Sequence, residues 1–274
     1  LKFSVGPMSE VSGRLILGAF HFLLNSWTLF TAPSDARLPG LLQRSRDYQA
    51  SVSEVLAEQV LHALYELLRG FEAADGRVKG ALLRELATKD PHSIYGGLVT
   101  VLLRLVFTLF AEDRGLLPLS GIYVRHYSVR GLFDRLRNDA EHYPDTMDHR
   151  FGAWPQLLAL FRMIQGGSEY SEIKMPARAG HLFAPDPYSF LAGRASRSEP
   201  IGALPLVSDG TLHRILEKLC ILEGERVSYR TLDVEEIGSV YQTIMGFAVE
   251  TAAGTAIALK GKRKNGGVPA SPVI

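Results

Sequence analysis

The sequence predicts a mainly α-helical fold, a multi-helix bundle closed by a small C-terminal β-hairpin. Apolar residues recur at intervals of three and four over most of the 274 residues, which is the period of an amphipathic helix. Short breaks that contain Pro and Gly separate these segments, and a strand-like stretch occurs near the C-terminus. With 46% hydrophobic residues, a chain of this length can bury a full core.

The first half of the chain predicts long helices. Residues 10–30 show the helical period, and TAPSDARLPG then interrupts it. The period resumes over residues 41–71, as one long helix or two in tandem. It continues over residues 81–87, and KDPH breaks it before residues 93–112, where apolar side chains cover nearly the whole circumference. A helix of that kind belongs in the centre of a bundle.

The second half predicts shorter elements. Residues 128–141 and 154–164 read as two amphipathic helices, separated by the polar stretch HYPDTMDHR. Ser208 and Asp209 are cap candidates for a helix with a predicted buried stripe of Leu212, Ile215, Leu216, Leu219 and Cys220. A further helix is expected from Asp233, and FAVET, AAG and TAIALK read as two strands around a glycine turn.

Three regions follow from this pattern. Residues 1–165 are expected to form a helical bundle. Residues 166–205, dense in Gly, Pro and Ser, are expected to form an ordered loop or a crossing between subdomains. Residues 206–274 are expected to form a helical pair followed by the β-hairpin.

Composition bounds the environment and the partners. Thirty basic and 29 acidic residues give a net charge of +1, so no global field attracts DNA or an anionic membrane. The single cysteine, Cys220, excludes an intramolecular disulfide, which fits a reducing cytoplasm, and its pattern predicts a small apolar residue on a helix. The most apolar segment, GGLVTVLLRLVFTLF, contains Arg104 and is shorter than the ~20 residues that span a bilayer, so we expect a soluble protein. The opening LKFSVGPMSE has no signal-peptide features and suggests a piece of a longer chain.

The stretch LFAEDRGLLP places two adjacent carboxylates at the end of the central helix. Gly115 is positioned for a left-handed C-terminal cap, and Pro118 prevents the helix from continuing. Acidic residues there oppose the helix dipole, so Glu112 and Asp113 are expected to pair with Arg104, Arg114 or a neighbouring helix. A structural ion pair is favoured over a catalytic pair, because adjacent helical residues diverge by about 100°.

Two weaker patterns point to metal chemistry. Pro144–Asp145, Glu172 and Lys174 imitate the two halves of a magnesium-dependent nuclease site, but neither half lies in an apolar β run, which argues against that site. The set His142, Asp145, Asp148 and His149 has no metal-ligand spacing, so a solvated loop is favoured. Ser26, Ser120 and Ser208 lack a nucleophile elbow, and no glycine-rich phosphate loop occurs. We therefore expect no catalytic, cofactor-binding or metal-binding residue.

A basic cluster lies near the C-terminus in LKGKRKNGG. Lys260, Lys262, Arg263 and Lys264 are the candidate DNA-binding residues, because such a cluster grips phosphates with salt-dependent affinity. A soluble linker is the alternative, favoured by the absence of interleaved aromatic residues for base stacking.

Four blocks together resemble a known family. They are LVTVLLRLVFTLFAEDRGLLP, HLFAPDPYSFLAGR, LPLVSDGTLHRILEKLCIL and ERVSYRTLDVEEIGSVYQTIMGFAVE. From about Gly13 onward the chain resembles the region ahead of the catalytic domain in large bacterial class I adenine-N6 DNA methyltransferases. These are the long restriction and phage-defence enzymes of the type IIG, BREX and DISARM kinds. The block GERVSYRTLDVEEIGSVYQTIMG is the most specific part of the resemblance.

The resemblance implies a helical scaffold joined to a methyltransferase core, in a parent chain that uses S-adenosylmethionine and acts on DNA, with defence-system subunits as possible partners. It implies that a Rossmann-like domain follows Ile274, and that Glu112, Asp113 and Arg114 form a buried polar junction that locks a helix end. The sequence has no NPPY-like tetrapeptide and no glycine-rich strand-to-helix turn, so no family catalytic residue can be assigned here. We expect no methylation by this segment alone and no cofactor within it. The alternative is a non-catalytic helical DNA-binding or protein-docking module that uses the basic cluster, Arg135 and Arg137.

Overall fold

A computed structural model describes most of the chain. The described residues are 14–118, 120–170, 173–178, 180–185, 187–194, 203–222, 224–230, 238, 242, 247–251 and 257–261. Two compact units are present, Leu1–Val52 and Ser53–Ile274. The fold is mainly helical, as the sequence predicted, and its strands pair only in two-stranded antiparallel sheets within these ranges.

The first unit contains helix α1, Arg14–Leu24, and a π-helical turn, Trp27–Thr31. The prediction of one helix up to residue 30 was therefore wrong at its end. Asn25 explains the change, since its amide nitrogen donates to the carbonyl of Phe22 at 2.8 Å and its side-chain oxygen accepts from the Thr28 N–H at 2.9 Å. Asparagine side chains that bond to nearby backbone in this way compete with the regular helix ladder.

Helix α2, Leu38–Arg77, is a single helix, which resolves the choice between one helix and two. In the second unit its apolar face is fully buried at Leu56, Val60, Leu64, Leu67 and Phe71. Asp75 and the positive φ of Gly80 end it in a turn, where the Asp75 carboxylate accepts from the N–H groups of Leu82 and Leu83. The helix predicted over residues 81–87 consequently begins later, as α3, Arg84–Lys89.

Helix α4, Pro91–Asp113, is the central helix. The Asp90 side chain caps it by accepting from the Ser93 N–H, and Pro91 occupies its first turn. By length and composition alone α4 is apolar enough to cross a membrane, contrary to the length argument made from sequence, but 78% of its most apolar stretch is buried inside the protein. Core helices of soluble proteins show this burial.

The remaining helices pack around α4 and each other. A short helix that the sequence pattern missed, α5, Gly121–His126, precedes α6, Val129–His142, and α7, Ala153–Gly166. Helix α8, Asp209–Cys220, packs against α6 and α7. Its N-cap is Ser208, and the predicted stripe is buried, including Cys220, whose thiol pKa is raised to about 12 by burial.

The loop predicted over residues 166–205 contains a hairpin, β1, Ser168–Tyr170, with β2, Ile173–Met175, and two 3₁₀ turns, His181–Phe183 and Ser189–Ala192. These strands are three residues each, too short for a period-2 pattern to reveal them. The polar stretch before α7 likewise forms a 3₁₀ helix, Pro144–His149.

Two further hairpins follow α8. Strands β3, Ile221–Leu222, and β4, Glu225–Arg226, form a short ladder that the sequence did not predict. The predicted C-terminal hairpin is confirmed as β5, Phe247–Thr251, paired with β6, Ile257–Gly261, and β5 lies beside α4. The helix expected from Asp233 and the turn between β5 and β6 lie outside the described residues.

Candidate functional site: the polar junction at the end of the central helix

The end of α4 follows the predicted capping pattern. Gly115 has φ of +66°, its N–H donates to the Glu112 carbonyl at 3.1 Å, and the Leu116 N–H donates to the Ala111 carbonyl at 2.9 Å. These two bonds form a Schellman cap, for which glycine is favoured because L side chains rarely adopt that φ. The cap stops α4 where its last two carboxylates meet neighbouring elements.

Glu112 binds the start of helix α6. Its Oε1 accepts from the Val129 N–H at 2.8 Å and from the Tyr123 hydroxyl at 3.1 Å, and its Oε2 accepts from the Arg130 N–H at 3.2 Å. Val129 and Arg130 open α6, so the carboxylate satisfies two N–H groups that no helical carbonyl reaches. Ser128 satisfies a third, by accepting from the Gly131 N–H at 2.9 Å.

Asp113 joins α4 to the segment that follows β4. Its Oδ2 accepts from the Arg130 guanidinium at 2.6 Å and from the Tyr229 N–H at 2.8 Å. The same guanidinium donates to the Val227 carbonyl at 3.1 Å, and the Tyr229 hydroxyl donates to the Leu219 carbonyl at 2.8 Å. We call Glu112, Asp113, Tyr123, Arg130 and Tyr229 the α4 junction.

Burial dominates the electrostatics of the α4 junction. It raises the pKa of Glu112, although the two backbone N–H bonds, the Tyr123 hydroxyl and nearby Arg130 oppose the rise. Burial also raises the pKa of Tyr123 and of Tyr229, so both phenols stay protonated and act as donors. Each carboxylate here accepts hydrogen bonds from neighbouring helices and loops, which is the arrangement of a structural junction.

The predicted ion pair is confirmed in part. The partner comes from a neighbouring helix, but it is Arg130 and not Arg104 or Arg114. Arg104 instead donates to the carbonyls of Leu182 and Ala184, at 2.6 and 2.8 Å, and lies over the Phe161 ring. Its burial lowers its pKa to about 10. The structure therefore shows two polar ties on α4, one at Arg104 and one at its C-terminus.

The α4 junction includes three residues that sequence reasoning did not assign to it, Tyr123, Arg130 and Tyr229. Only Tyr229 lies in one of the four blocks, ERVSYR, and no local pattern marks it. Arg130 and Tyr123 lie in α6 and α5, where they follow the serine N-caps Ser128 and Ser120. Those caps were the available signal that helix starts face the end of α4.

The nuclease-like residues are not assembled in the described part of the chain. Asp145 lies in the 3₁₀ helix and Glu172 lies outside the described residues. Lys174 lies on β2 between buried Ile173 and Met175, so the view that neither half lies in a β run was wrong for the lysine. It lines an open groove of about 430 Å³ with Ser168, Glu169, Met175 and Pro176.

The histidine and aspartate set has other contacts. Asp148 accepts from Ser208 at 2.9 Å and lies 3.4 Å from the Arg214 guanidinium, and the His142 ring bonds to the Asn138 carbonyl. Among the described residues, no group of three His, Cys, Asp or Glu side chains is placed to hold a metal ion. Ser208 and Ser120 both act as N-caps, which accounts for their hydroxyls.

The candidate DNA-binding residues lie at the edge of what the structure describes. Lys260 is on β6, and Lys262, Arg263 and Lys264 lie outside the described residues. Of the two arginines in the alternative hypothesis, Arg135 donates to Gln156 and Arg137 pairs with Glu141 at 3.1 Å. Both arginines are exposed at the surface, where interactions of this kind are weak.

Comparisons of the chain with protein-family models, with curated proteins and with solved structures find no match.

Proposed function

We propose that this chain is the helical scaffold of a bacterial adenine-N6 DNA methyltransferase of the restriction or phage-defence kind. The proposal takes its chemistry from the sequence resemblance. In it, the chain joins the parts that precede it to a methyltransferase core and performs no methyl transfer itself. It works in the cytoplasm, where the parent protein meets DNA.

One observation carries the proposal: the blocks that bear the resemblance hold one another through buried polar contacts. Asp113, in the first block, accepts from Tyr229, in the fourth, and Tyr229 donates to Leu219, in the third. Arg104, also in the first block, holds the carbonyls of Leu182 and Ala184 in the second. A set of motifs that stabilises one arrangement of helices is expected in a scaffold, since buried donors and acceptors must all be paired.

The residues of this chain do not fit S-adenosylmethionine. Its binding in such enzymes uses a glycine-rich turn between a strand and a helix, and the sequence has none. We therefore assign cofactor binding, base flipping and methyl transfer to the parent's catalytic core. The chain's own role is to fix the position from which that core follows the β5–β6 hairpin.

The test compares the complete gene product with this segment. Both are purified and incubated with DNA and S-adenosylmethionine labelled in its methyl group, and N6-methyladenine is quantified by mass spectrometry. We expect methylation by the complete gene product and none by residues 1–274. A complete gene product that neither binds S-adenosylmethionine nor methylates adenine would overturn the proposal.

A non-catalytic DNA-binding or protein-docking module is the second candidate function. Its supporting observation is the basic cluster that begins on β6 at Lys260, directly before Lys262, Arg263 and Lys264. Phosphate contacts by such a cluster need no enzymatic core.

A further inference from the structure

Helix α1 and the π-helical turn after it leave an unusual amount of apolar surface in solvent. Trp27 is 53% exposed and Phe30 is 73% exposed, while Leu17, Phe22 and Leu24 are each more than 40% exposed. Soluble proteins rarely expose apolar side chains in such a group unless the surface binds something. Within the first unit this surface is therefore a candidate interaction site.

The spacing of these residues suits a second helix. Leu17 and Leu24 are seven residues apart, and Trp27 follows three residues later. Positions that repeat at seven and three lie along one seam of a helix, the arrangement by which two helices pack side by side. We call Leu17, Leu24 and Trp27 the α1 seam, which Phe22 and Phe30 flank.

Charge narrows the choice of occupant. From Arg14 to Thr31 the only ionisable side chains are Arg14 and His21. Helices that lie on membranes usually carry many Lys and Arg residues on a polar face, and α1 does not. A surface with so few charges pairs with a copy of itself without like-charge repulsion, and most soluble oligomers are symmetric assemblies of one chain.

The area is sufficient for a weak dimer. At roughly 200 Å² for each large side chain, the exposed fractions of the five residues amount to about 500 Å² per copy. Two copies would bury about 1,000 Å², which is the lower end for specific interfaces. We propose that the α1 seam is a self-association surface, at which two copies of this chain pair through α1.

Trp27 provides a local readout. The described residues include two tryptophans, of which Trp27 is half exposed and Trp154 is fully buried, so dimer formation should shift only the emission of Trp27 to shorter wavelength. The experiment measures mass by sedimentation equilibrium and Trp emission, both between 1 and 200 µM in order of magnitude, the range for a weak interface. We compare wild type, Leu17→Lys/Phe30→Lys, and Tyr170→Lys as a matched control. Tyr170 is 80% exposed on β1, so the control adds positive charge at an exposed apolar site in the second unit.

We expect the wild-type mass to rise toward twice that of the chain as concentration increases, with a blue shift of Trp27. Both changes should be lost in the double variant and retained in Tyr170→Lys, while thermal melts show all three proteins folded. A monomeric wild type over the whole range would overturn the proposal, as would a dimer that survives the double substitution. A monomer that floats with uncharged phosphatidylcholine vesicles would assign the surface to lipid and would equally overturn it.

Discussion

Two adjacent carboxylates at the end of α4 have different roles, and neighbouring elements account for the difference. Glu112 faces the start of α6 and bonds to N–H groups, which stabilise a negative charge at a helix N-terminus. Asp113 faces Arg130 and the chain after β4. Their own helix dipole disfavours both, so their stabilising effect comes from the contacts with α5, α6 and Tyr229.

Replacing Asp113 with alanine tests the Arg130 contact. The Arg130 guanidinium and the Tyr229 N–H would lose their acceptor in a site where the two charged side chains are less than 25% exposed. We expect Asp113→Ala to lower the free energy of unfolding by about 1–3 kcal/mol, measured by urea denaturation. Glu141→Ala, which breaks the exposed pair with Arg137, should cost at most about 0.5 kcal/mol. Equal losses in the two variants would contradict a special role for Asp113.

Glu112 predicts a pH dependence with an unusual sign for a carboxylate. Because burial raises its folded-state pKa above the unfolded value, the folded protein binds this proton more tightly, and this contribution to stability grows as pH falls through the folded pKa toward the unfolded one. We expect the stability of wild type relative to Glu112→Gln to increase between pH 7 and about pH 4.5. The measurement is urea denaturation of both proteins across that range. A relative stability that falls on acidification would show that hydrogen bonding outweighs burial at this group.

At the scale of elements, small residues allow α4 to approach the 3₁₀ turn at Ser189–Ala192. A Cβ at Gly97 would lie 2.6 Å from ring atoms of Phe190, and a Cβ at Gly96 would lie 2.6 Å from the Tyr188 hydroxyl oxygen. Phe190 is itself held edge-on against Phe71, with 5.6 Å between ring centroids. The two glycines therefore let the second block pack directly on the central helix.

Gly97→Ala tests this close approach. The added methyl group would force Phe190 to move within a dense core, and we expect a loss of about 1–3 kcal/mol in the free energy of unfolding. Gly76→Ala is the matched control, because Gly76 is also helical and a Cβ there meets nothing within 4 Å. The control should be neutral, or more stable by up to about 1 kcal/mol. Thermal or urea denaturation of both variants measures the difference, and a loss confined to Gly76→Ala would refute the packing argument.

At the scale of the whole molecule, the net charge of +1 leaves any DNA binding to local clusters. The basic cluster from Lys260 to Lys264 is the strongest of these in the sequence, since Arg135 and Arg137 already have hydrogen-bonding partners. The helical scaffold itself is held by polar ties between distant parts of the chain. DNA binding and fold stability are therefore expected to depend on separate residues.

Replacing Lys260, Lys262, Arg263 and Lys264 with glutamine tests the cluster. If these side chains neutralise phosphates, duplex DNA binding measured by fluorescence anisotropy should weaken at all sequences. The magnitude of the slope of log K against log salt should fall by about 0.9 for each phosphate that is no longer neutralised. Arg135→Gln/Arg137→Gln is the comparison variant and should change the slope less. An unchanged slope in the cluster variant, or no binding by wild type at low salt, would favour the linker interpretation.

Local sequence determined much of the architecture. The three-and-four period located α2, α4, α6, α7 and α8, and it identified the buried stripe of α8 from Leu212 to Cys220. Gly115 predicted the cap of α4, and the strand-like stretch near the C-terminus predicted the β5–β6 hairpin. These features depend on neighbours within a turn or a strand, so a single chain segment carries enough information for them.

Only the tertiary structure decided how the candidate site is assembled. The Asp113 carboxylate and the Tyr229 N–H are 116 residues apart in sequence, and Arg104 lies 78 residues before the carbonyl it holds at Leu182. Several arginines near in sequence were equally plausible partners for Glu112 and Asp113, and Arg130 was selected by the packing of α6 against α4. Hydrogen-bond geometry requires atoms to approach within about 3 Å, and a linear pattern does not contain that distance. The sequence thus determined where most of the helices lie and which faces they bury, whereas the fold chose which polar groups meet.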